Sequence, residues 1–175
     1  MTPTARLSFP HLFEPAAPFS ADQEPKYQCD LIFAPDEFLS EIEDAIDAAI
    51  VAKWGSEQPK RIRRPLKDAA DKDAVGYVDG CQYVTARSKR RPAVVQGRLR
   101  EPVTDPDEIY GGCYVRASLT AFGYDVSGSR GVSLALNNIW KIRDGEPFGQ
   151  RRSAEDDFAD VEVDRGAFGD DAGLL

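Results

Sequence analysis

Two long runs of alternating residues constrain this chain most. Residues 112–124 (GCYVRASLTAFGY) and 132–142 (VSLALNNIWKI) each read as a strand, and SGSRG at 127–131 is a hairpin turn by composition. In the first run Val115, Ala117, Leu119 and Ala121 share one face. Tyr114, Arg116, Ser118, Thr120, Phe122 and Tyr124 share the other, because side chains alternate along a strand. The C-terminal half is thereby committed to antiparallel β structure.

The preceding residues supply the rest of a small fold. TARLSF at 4–9 reads as a short strand. Pro10, Pro15, Pro18 and Pro25 predict a long loop over 10–25. KYQCDLIF at 26–33 is a strand with Tyr27, Cys29, Leu31 and Phe33 on one face. A helix is expected at 36–54, opened by Pro35, with Phe38, Leu39, Ile42, Ala45, Ile46, Ala49, Ile50 and Trp54 at helical spacing and Gly55 as its stop. Residues 59–75 read as a loop with one helical turn, 77–88 as a strand, 93–99 as a short strand and 101–109 as turns. This order predicts a mainly β architecture, a small antiparallel barrel with one helix packed against it.

At 175 residues and 42% hydrophobic content, one domain with an appendage is expected. We place the domain at 1–152 and the appendage at 153–175. From Ser153 onward there are eight carboxylates, one arginine and no hydrophobic run, a composition that predicts a disordered acidic tail. Cys29, Cys81 and Cys113 form no close pair, which suits a reducing cytoplasm. No secretory signal and no apolar run of about 18 residues is visible, so a soluble cytoplasmic protein without a membrane partner is expected.

Net charge is −8, but its distribution says more than its sum. Residues 1–59 carry 3 basic and 11 acidic groups, residues 60–100 carry 12 and 4, and residues 155–175 carry 1 and 8. A phosphate backbone would meet the local field of the basic segment, not the molecular average. Lys60, Arg61, Arg63, Arg64 and Lys67 form one basic run; Lys89, Arg90 and Arg91 form a second, followed by Arg98 and Arg100. One basic run alone would read as a solvated loop. Two runs flanking one strand point to polyanion binding. Tyr83, Thr85 and Arg87 share a face of that strand, and Tyr114, Arg116, Phe122 and Tyr124 share a face of the long one. Rings interleaved with cations suit unpaired nucleotides, since bases stack on rings while cations track phosphates. Any single ring is as readily explained as core packing. In the tail, Asp156, Asp157, Phe158, Phe168, Asp170, Asp171, Leu174 and Leu175 mix charge with apolar points, as a partner-docking peptide does.

Signals for enzyme chemistry are missing. The single histidine, His11, sits in a proline-rich stretch, and no phosphate-cradling glycine motif is present. Zinc from His11, Cys29, Cys81 and Cys113 matches no known spacing, and small core residues are the better reading of Cys29 and Cys113. No metal or cofactor is expected.

The run GGCYVRASLTAFGYDVSGSRGVSLALNNIWKIRDGEPFG, with RRPLKDAADKDAVGYVDG, VTARSKRRPAVV and YQCDLIFAPDEF upstream, resembles a bacteriophage family of single-stranded DNA-binding proteins. The resemblance spans most of residues 1–150. It implies an OB-fold similar to that of the T7-type phage single-stranded DNA-binding protein, with an acidic tail that tempers DNA binding and contacts replication partners. On the matched pieces it implies roles for Arg64, Lys67, Arg87, Lys89, Arg90, Arg91, Tyr114, Arg116, Phe122 and Tyr124. T7-type tails end in an aromatic residue, whereas this chain ends Gly173-Leu174-Leu175.

The expected function is sequence-tolerant coating of single-stranded DNA in phage or prophage replication, recombination or repair. Replication or recombination proteins would dock on the tail, and a homodimer is compatible with the sequence. One rival is an interaction module with no DNA role of its own. The other, further behind, is a magnesium nuclease, which lacks clustered carboxylates on a rigid scaffold.

Overall fold

A computed structural model of the chain describes residues 1–149 apart from Phe19. In chain order its elements are β1 (Ala5–Ala16), β2 (Lys26–Phe33), α1 (Ser40–Trp54), β3 (Lys67–Asp68), β4 (Gln82–Ser88), β5 (Ala93–Gln96), β6 (Glu101–Pro102), β7 (Tyr114–Val126) and β8 (Ser129–Arg143). Single 3-10 turns stand at Ala69–Asp71 and Pro106–Glu108.

Five strands close into a ring. β1 pairs antiparallel with β2 and β7, β2 with β4, and β7 with β8, while a short parallel pairing of Ala86 and Arg87 with Leu134 and Ala135 joins β4 to β8. The circuit β1–β2–β4–β8–β7 closes the sheet on itself and leaves only partial edges, the solution small antiparallel proteins adopt to protect unpaired backbone groups. Counting only the ring, its first, second, third, fifth and fourth strands are neighbours in that order, which is the OB arrangement. The free edge of β8 is covered piecewise by a bridge from Arg63 to Gly131, by β4, and by β5.

Local chemistry explains most element bounds. The β7–β8 turn needs only Ser127 and Gly128, both at positive φ (50° and 80°), a two-residue hairpin geometry that matches strand twist. β1 corrects the expected loop at 10–25, for it runs through Pro10 and Pro15 to Ala16. Its register against β2 shifts between Ser8 and His11 and again between His11 and Ala16. Each proline falls in one of those irregular intervals, where no ladder N–H is required. The helix begins at Ser40 instead of residue 36, because Pro35 and Asp36 turn the chain out of β2, with the Glu37 N–H bonded to the Ala34 carbonyl at 3.1 Å. Phe38 therefore leaves the apolar stripe and is 85% exposed. Residues 77–81 are irregular around a turn at Asp79 and Gly80, and β4 starts at Gln82.

Leu7, Cys29, Leu31, Phe33, Val84, Ala86, Val115, Ala117, Leu134 and Ile139 fill the ring. α1 packs on β7 and β8 with Ile42, Ile46, Ala49 and Ile50 buried, which leaves its carboxylates in water. All three cysteines are free and buried.

A second, smaller cluster lies outside the ring. Ile32, Ala69, Tyr77, Cys81 and Tyr83 are buried together, with Ala74 and Phe148 against them. The segment 69–81 thus covers the upper outer face of β2 and β4. Asp30, a buried carboxylate on that face, accepts hydrogen bonds from Lys72 Nζ and Tyr77 Oη, each at 2.5 Å. Burial, then the bond to Asp30, pushes the Tyr77 hydroxyl far up from its ordinary pKa.

The chain returns to this cluster after β8. Arg6 donates from Nε to the Gly112 carbonyl at 2.8 Å and from Nη2 to the Glu146 carbonyl at 2.7 Å. Its guanidinium lies 4.8 Å from the Tyr114 ring and 4.6 Å from the Phe148 ring. Gly112, at φ +116°, has no room for a Cβ against the Glu146 carbonyl. Phe148 is fixed by its N–H on the Gly111 carbonyl at 2.9 Å, so the last described residues lie beside the outer cluster.

Candidate nucleic-acid interface

The outer face of the ring is uncovered below the second cluster, and there the basic segments meet. Period-two alternation turns Lys26 and Gln28 of β2, and Thr85 and Arg87 of β4, away from the core. The strand pairings make one lateral row of Gln28, Arg87, Ala135 and Thr120 across β2, β4, β8 and β7. Arg87 Nε donates to Gln28 Oε1 at 3.1 Å, which holds the guanidinium along the face.

A groove of about 200 Å³ opens on one side of Arg87, lined by Arg63, Arg64, Pro65, Lys67, Thr85, Arg87, Tyr124, Val132 and Ser133. A hollow of about 570 Å³ opens on its other side, lined by residues 16–18, Gln23, Glu24, Lys26, Gln28 and Arg87. The two share Arg87 and form one trough. It lies against the second and third ring strands, with the β1–β2 loop at one border, the region where OB barrels take oligonucleotides.

Backbone geometry brings the 60s loop here. Arg63 N–H bonds the Arg130 carbonyl at 3.0 Å, and the Val132 N–H bonds the Arg63 carbonyl at 2.9 Å. This close approach requires Gly131, since a Cβ there would stand 2.8 Å from the Arg63 carbonyl oxygen and 2.7 Å from Tyr124 Oη. Tyr124 is the Cα partner of Gly131, and its ring fills the space that a side chain would take.

The trough is electropositive. Lys26, Arg63, Lys67, Arg87, Arg90 and Arg91 are exposed and make no ion pair among the described residues. Arg64 pairs with Asp47 of α1 at 2.7 Å, and Lys89 with Glu24. The hydrogen bond from Lys89 holds the Glu24 carboxyl below its ordinary pKa. Both pairs are solvent-exposed, so either is readily exchanged for a phosphate. Arg91 lies 5.4 Å over the Phe13 ring.

The expected site residues divide. Arg63, Arg64, Lys67, Arg87 and Tyr124 line the groove together. Lys89, Arg90 and Arg91 continue from the end of β4. Arg61 is exposed on the same loop as Arg63, and Phe122, 47% exposed, faces its partner Ser133 at the groove wall. Three residues do not join. Tyr83 is buried under segment 69–81, edge-on to Tyr77 at 5.1 Å, and burial raises its hydroxyl pKa. Tyr114 sits between two guanidinium groups, Arg143 at 3.4 Å and Arg6 at 4.8 Å. Arg116 donates Nε to the Thr2 carbonyl at 2.9 Å. Neither tyrosine ring offers a free face for a base. Asp156, Asp157, Phe158, Phe168, Asp170, Asp171, Leu174 and Leu175 lie outside the described residues.

Lys26 and Gln28 were missed as lining residues, while Thr85, read with Arg87 as an outer-face residue, lines the groove. The alternation of KYQCDLIF carried the signal, for if Cys29, Leu31 and Phe33 face inward then Lys26 and Gln28 must face outward. Among the described residues no three His, Cys, Asp or Glu side chains gather as a metal site, and no helix is long and apolar enough to cross a membrane.

Comparisons with known proteins bear on the family and the fold. The family model described as "Enterobacter phage Enc34, ssDNA-binding protein" matches residues 1–168. "Putative protein p50" of Acyrthosiphon pisum secondary endosymbiont phage 1 is 35% identical over 155 residues, covering 82% of both chains. Among solved structures, the single-stranded DNA-binding protein from bacteriophage Enc34 in complex with ssDNA superposes with a TM-score of 0.67 at 27% identity, over 83% of this chain and 86% of that one. Gp2.5, a single-stranded DNA-binding protein encoded by bacteriophage T7, superposes with a TM-score of 0.60 at 17% identity over 94% of each chain, a likeness of fold.

Proposed function

The chain belongs to the Enc34 phage single-stranded DNA-binding protein family, and from that membership we propose that it coats unpaired DNA along the trough centred on Arg87. The observation that carries this reading is the convergence of Arg63, Arg64, Lys67, Arg87 and Tyr124 on the OB-type outer face, drawn from three separate segments of sequence. Arginines and lysines supply counterion-releasing contacts to phosphates, and Tyr124 with Phe122 supplies stacking surface. Cations on phosphates and rings on bases make contacts tolerant of sequence. The family is one of binding proteins, not enzymes.

The finer role is coverage of single strands during phage or prophage replication, recombination or repair. The 21 residues 155–175 carry eight carboxylates and one arginine, a polyanion that competes with DNA for the trough and offers a docking peptide to partner proteins. The last described residues, Phe148 among them, lie beside the cluster that covers the same outer face, which favours such competition.

Titrating fluorescent oligo-dT at two salt concentrations tests both parts. Six phosphate contacts on a single strand would cost about 300-fold in affinity between about 50 and 200 mM salt, so a steep loss is expected. Deleting residues 153–175 should tighten binding at the lower salt. Salt-independent affinity would remove the electrostatic basis, and unchanged affinity on deletion would remove tail competition. A full-length protein that ignored oligo-dT yet captured replication proteins would instead be an interaction module.

A further inference from the structure

We propose that the far end of the β7–β8 ladder carries a second station for single-stranded nucleic acid, built from Trp140, Arg98 and Arg100. The inference rests on the groove at Tyr124 taking unpaired strands, and it extends the path of such a strand.

Trp140 is the Cα partner of Arg116, eight residues along β7 from Tyr124, a span of about 26 Å at about 3.3 Å per residue. Its ring is half-buried, and its Nε1–H donates to the Gly97 carbonyl at 3.0 Å. That bond pins the β5–β6 turn against β8. The turn carries Arg98 and Arg100, both exposed and without an ion pair among the described residues, around Leu99 at 84% exposure. Arg100 lies with its guanidinium 4.8 Å from the Trp140 ring centre. Two carboxylates of neighbouring loops are already engaged, Glu108 by the Gln96 amide at 2.6 Å and Asp144 by Lys141 at 2.7 Å.

The surface between the two stations is uncharged. Ser118, Thr120 and Phe122 on β7 and Ser133, Ala135 and Asn138 on β8 carry no carboxylate to repel a phosphate backbone. A strand leaving the groove past Phe122 reaches Trp140 without crossing negative charge. There a base replaces Arg100 on the indole face, and the released guanidinium turns to the adjoining phosphate. Stacking of this kind accepts any base.

The test compares full-length wild type with R98A/R100A on oligo-dT of about 6 and about 16 nucleotides, lengths that bracket one and two stations. The short oligonucleotide should bind both proteins equally. The long one should bind the variant about tenfold more weakly, the loss of two phosphate contacts. Equal ratios at the two lengths would overturn the proposal. A second readout uses W54F, which leaves Trp140 as the sole tryptophan. Its fluorescence should be quenched by the long oligonucleotide and not by the short one, and quenching by neither would overturn the second station. Wild type that failed to bind the short oligonucleotide would sink the groove reading and this extension with it. Wild type that bound it, with no length-dependent difference, would sink the extension alone.

Discussion

Arg87→Glu should weaken oligo-dT binding about 100-fold at low salt, with little change in stability. Arg87 borders both halves of the trough and sits at the middle of the row from Gln28 to Ala135. It makes no ion pair among the described residues, so its whole charge is available to a phosphate. Reversal removes one attractive contact and places a carboxylate against the strand, a change of about 2–3 kcal/mol. The slope of log affinity against log salt should fall by about 1. Because the side chain is exposed, unfolding free energy should move by no more than about 0.5 kcal/mol. Fluorescence anisotropy across a salt series reads both effects. Lys53→Glu, an equally drastic reversal on α1 behind Gly123 of β7, should cost clearly less affinity if the trough is the binding surface, since Lys53 lines neither half of it. Equal loss in the two variants would mean that net charge, not the trough, governs binding.

Phe33→Ala should destabilise the domain by about 3–5 kcal/mol. Phe33 is fully enclosed at the end of β2, within the cluster that includes Leu31, Val84 and Ile46, and truncating it leaves a cavity that the closed ring cannot collapse around. A domain of this size has about 5–15 kcal/mol in all, so the variant should sit near the edge of folding. With a slope of about 2 kcal/mol per molar, the urea midpoint should fall by about 2 M. Phe38→Ala is the matched control, because that ring is 85% exposed, and its midpoint should barely move. Circular dichroism during urea titration distinguishes the two. A small shift for Phe33→Ala would mean that the ring core is less tightly packed than its burial implies.

The sequence made the skeleton legible where a single period governed a segment. β2, β7, β8 and the apolar stripe of α1 follow from alternation or helical spacing, since burial on one face rewards one pattern. Prolines misled the reading of β1. A proline normally removes a ladder bond, yet Pro10 and Pro15 stand where the register already slips, and that slip depends on β2, a partner that local sequence does not reveal. The helix start was misplaced for a similar reason, Pro35 serving the turn out of β2 instead of the first helical turn.

The cations of the site were legible and most of its rings were not. Charge is seldom buried without a partner, so Arg63, Lys67 and Arg87 were expected at the surface. A tyrosine serves a core as well as a surface, and its fate depends on what covers it. Segment 69–81 covers Tyr83, and Arg6 from the first strand joins Arg143 around Tyr114, both long-range contacts. Tyr124 stayed open to the groove because its neighbour is Gly131, a pairing set by hairpin register. The second station hides in the same way, since Arg100 meets Trp140 only because β5 pairs in parallel with β8.

The most direct test of the central claim is ultraviolet crosslinking of oligo-dT to the full-length protein, followed by mass mapping of the attached peptides. The trough account predicts crosslinks on peptides containing Tyr124, Phe122 and the outer residues of β4, lost when excess unlabelled oligo-dT is added. Crosslinks confined to α1 and absent from β4 and β7 would contradict it.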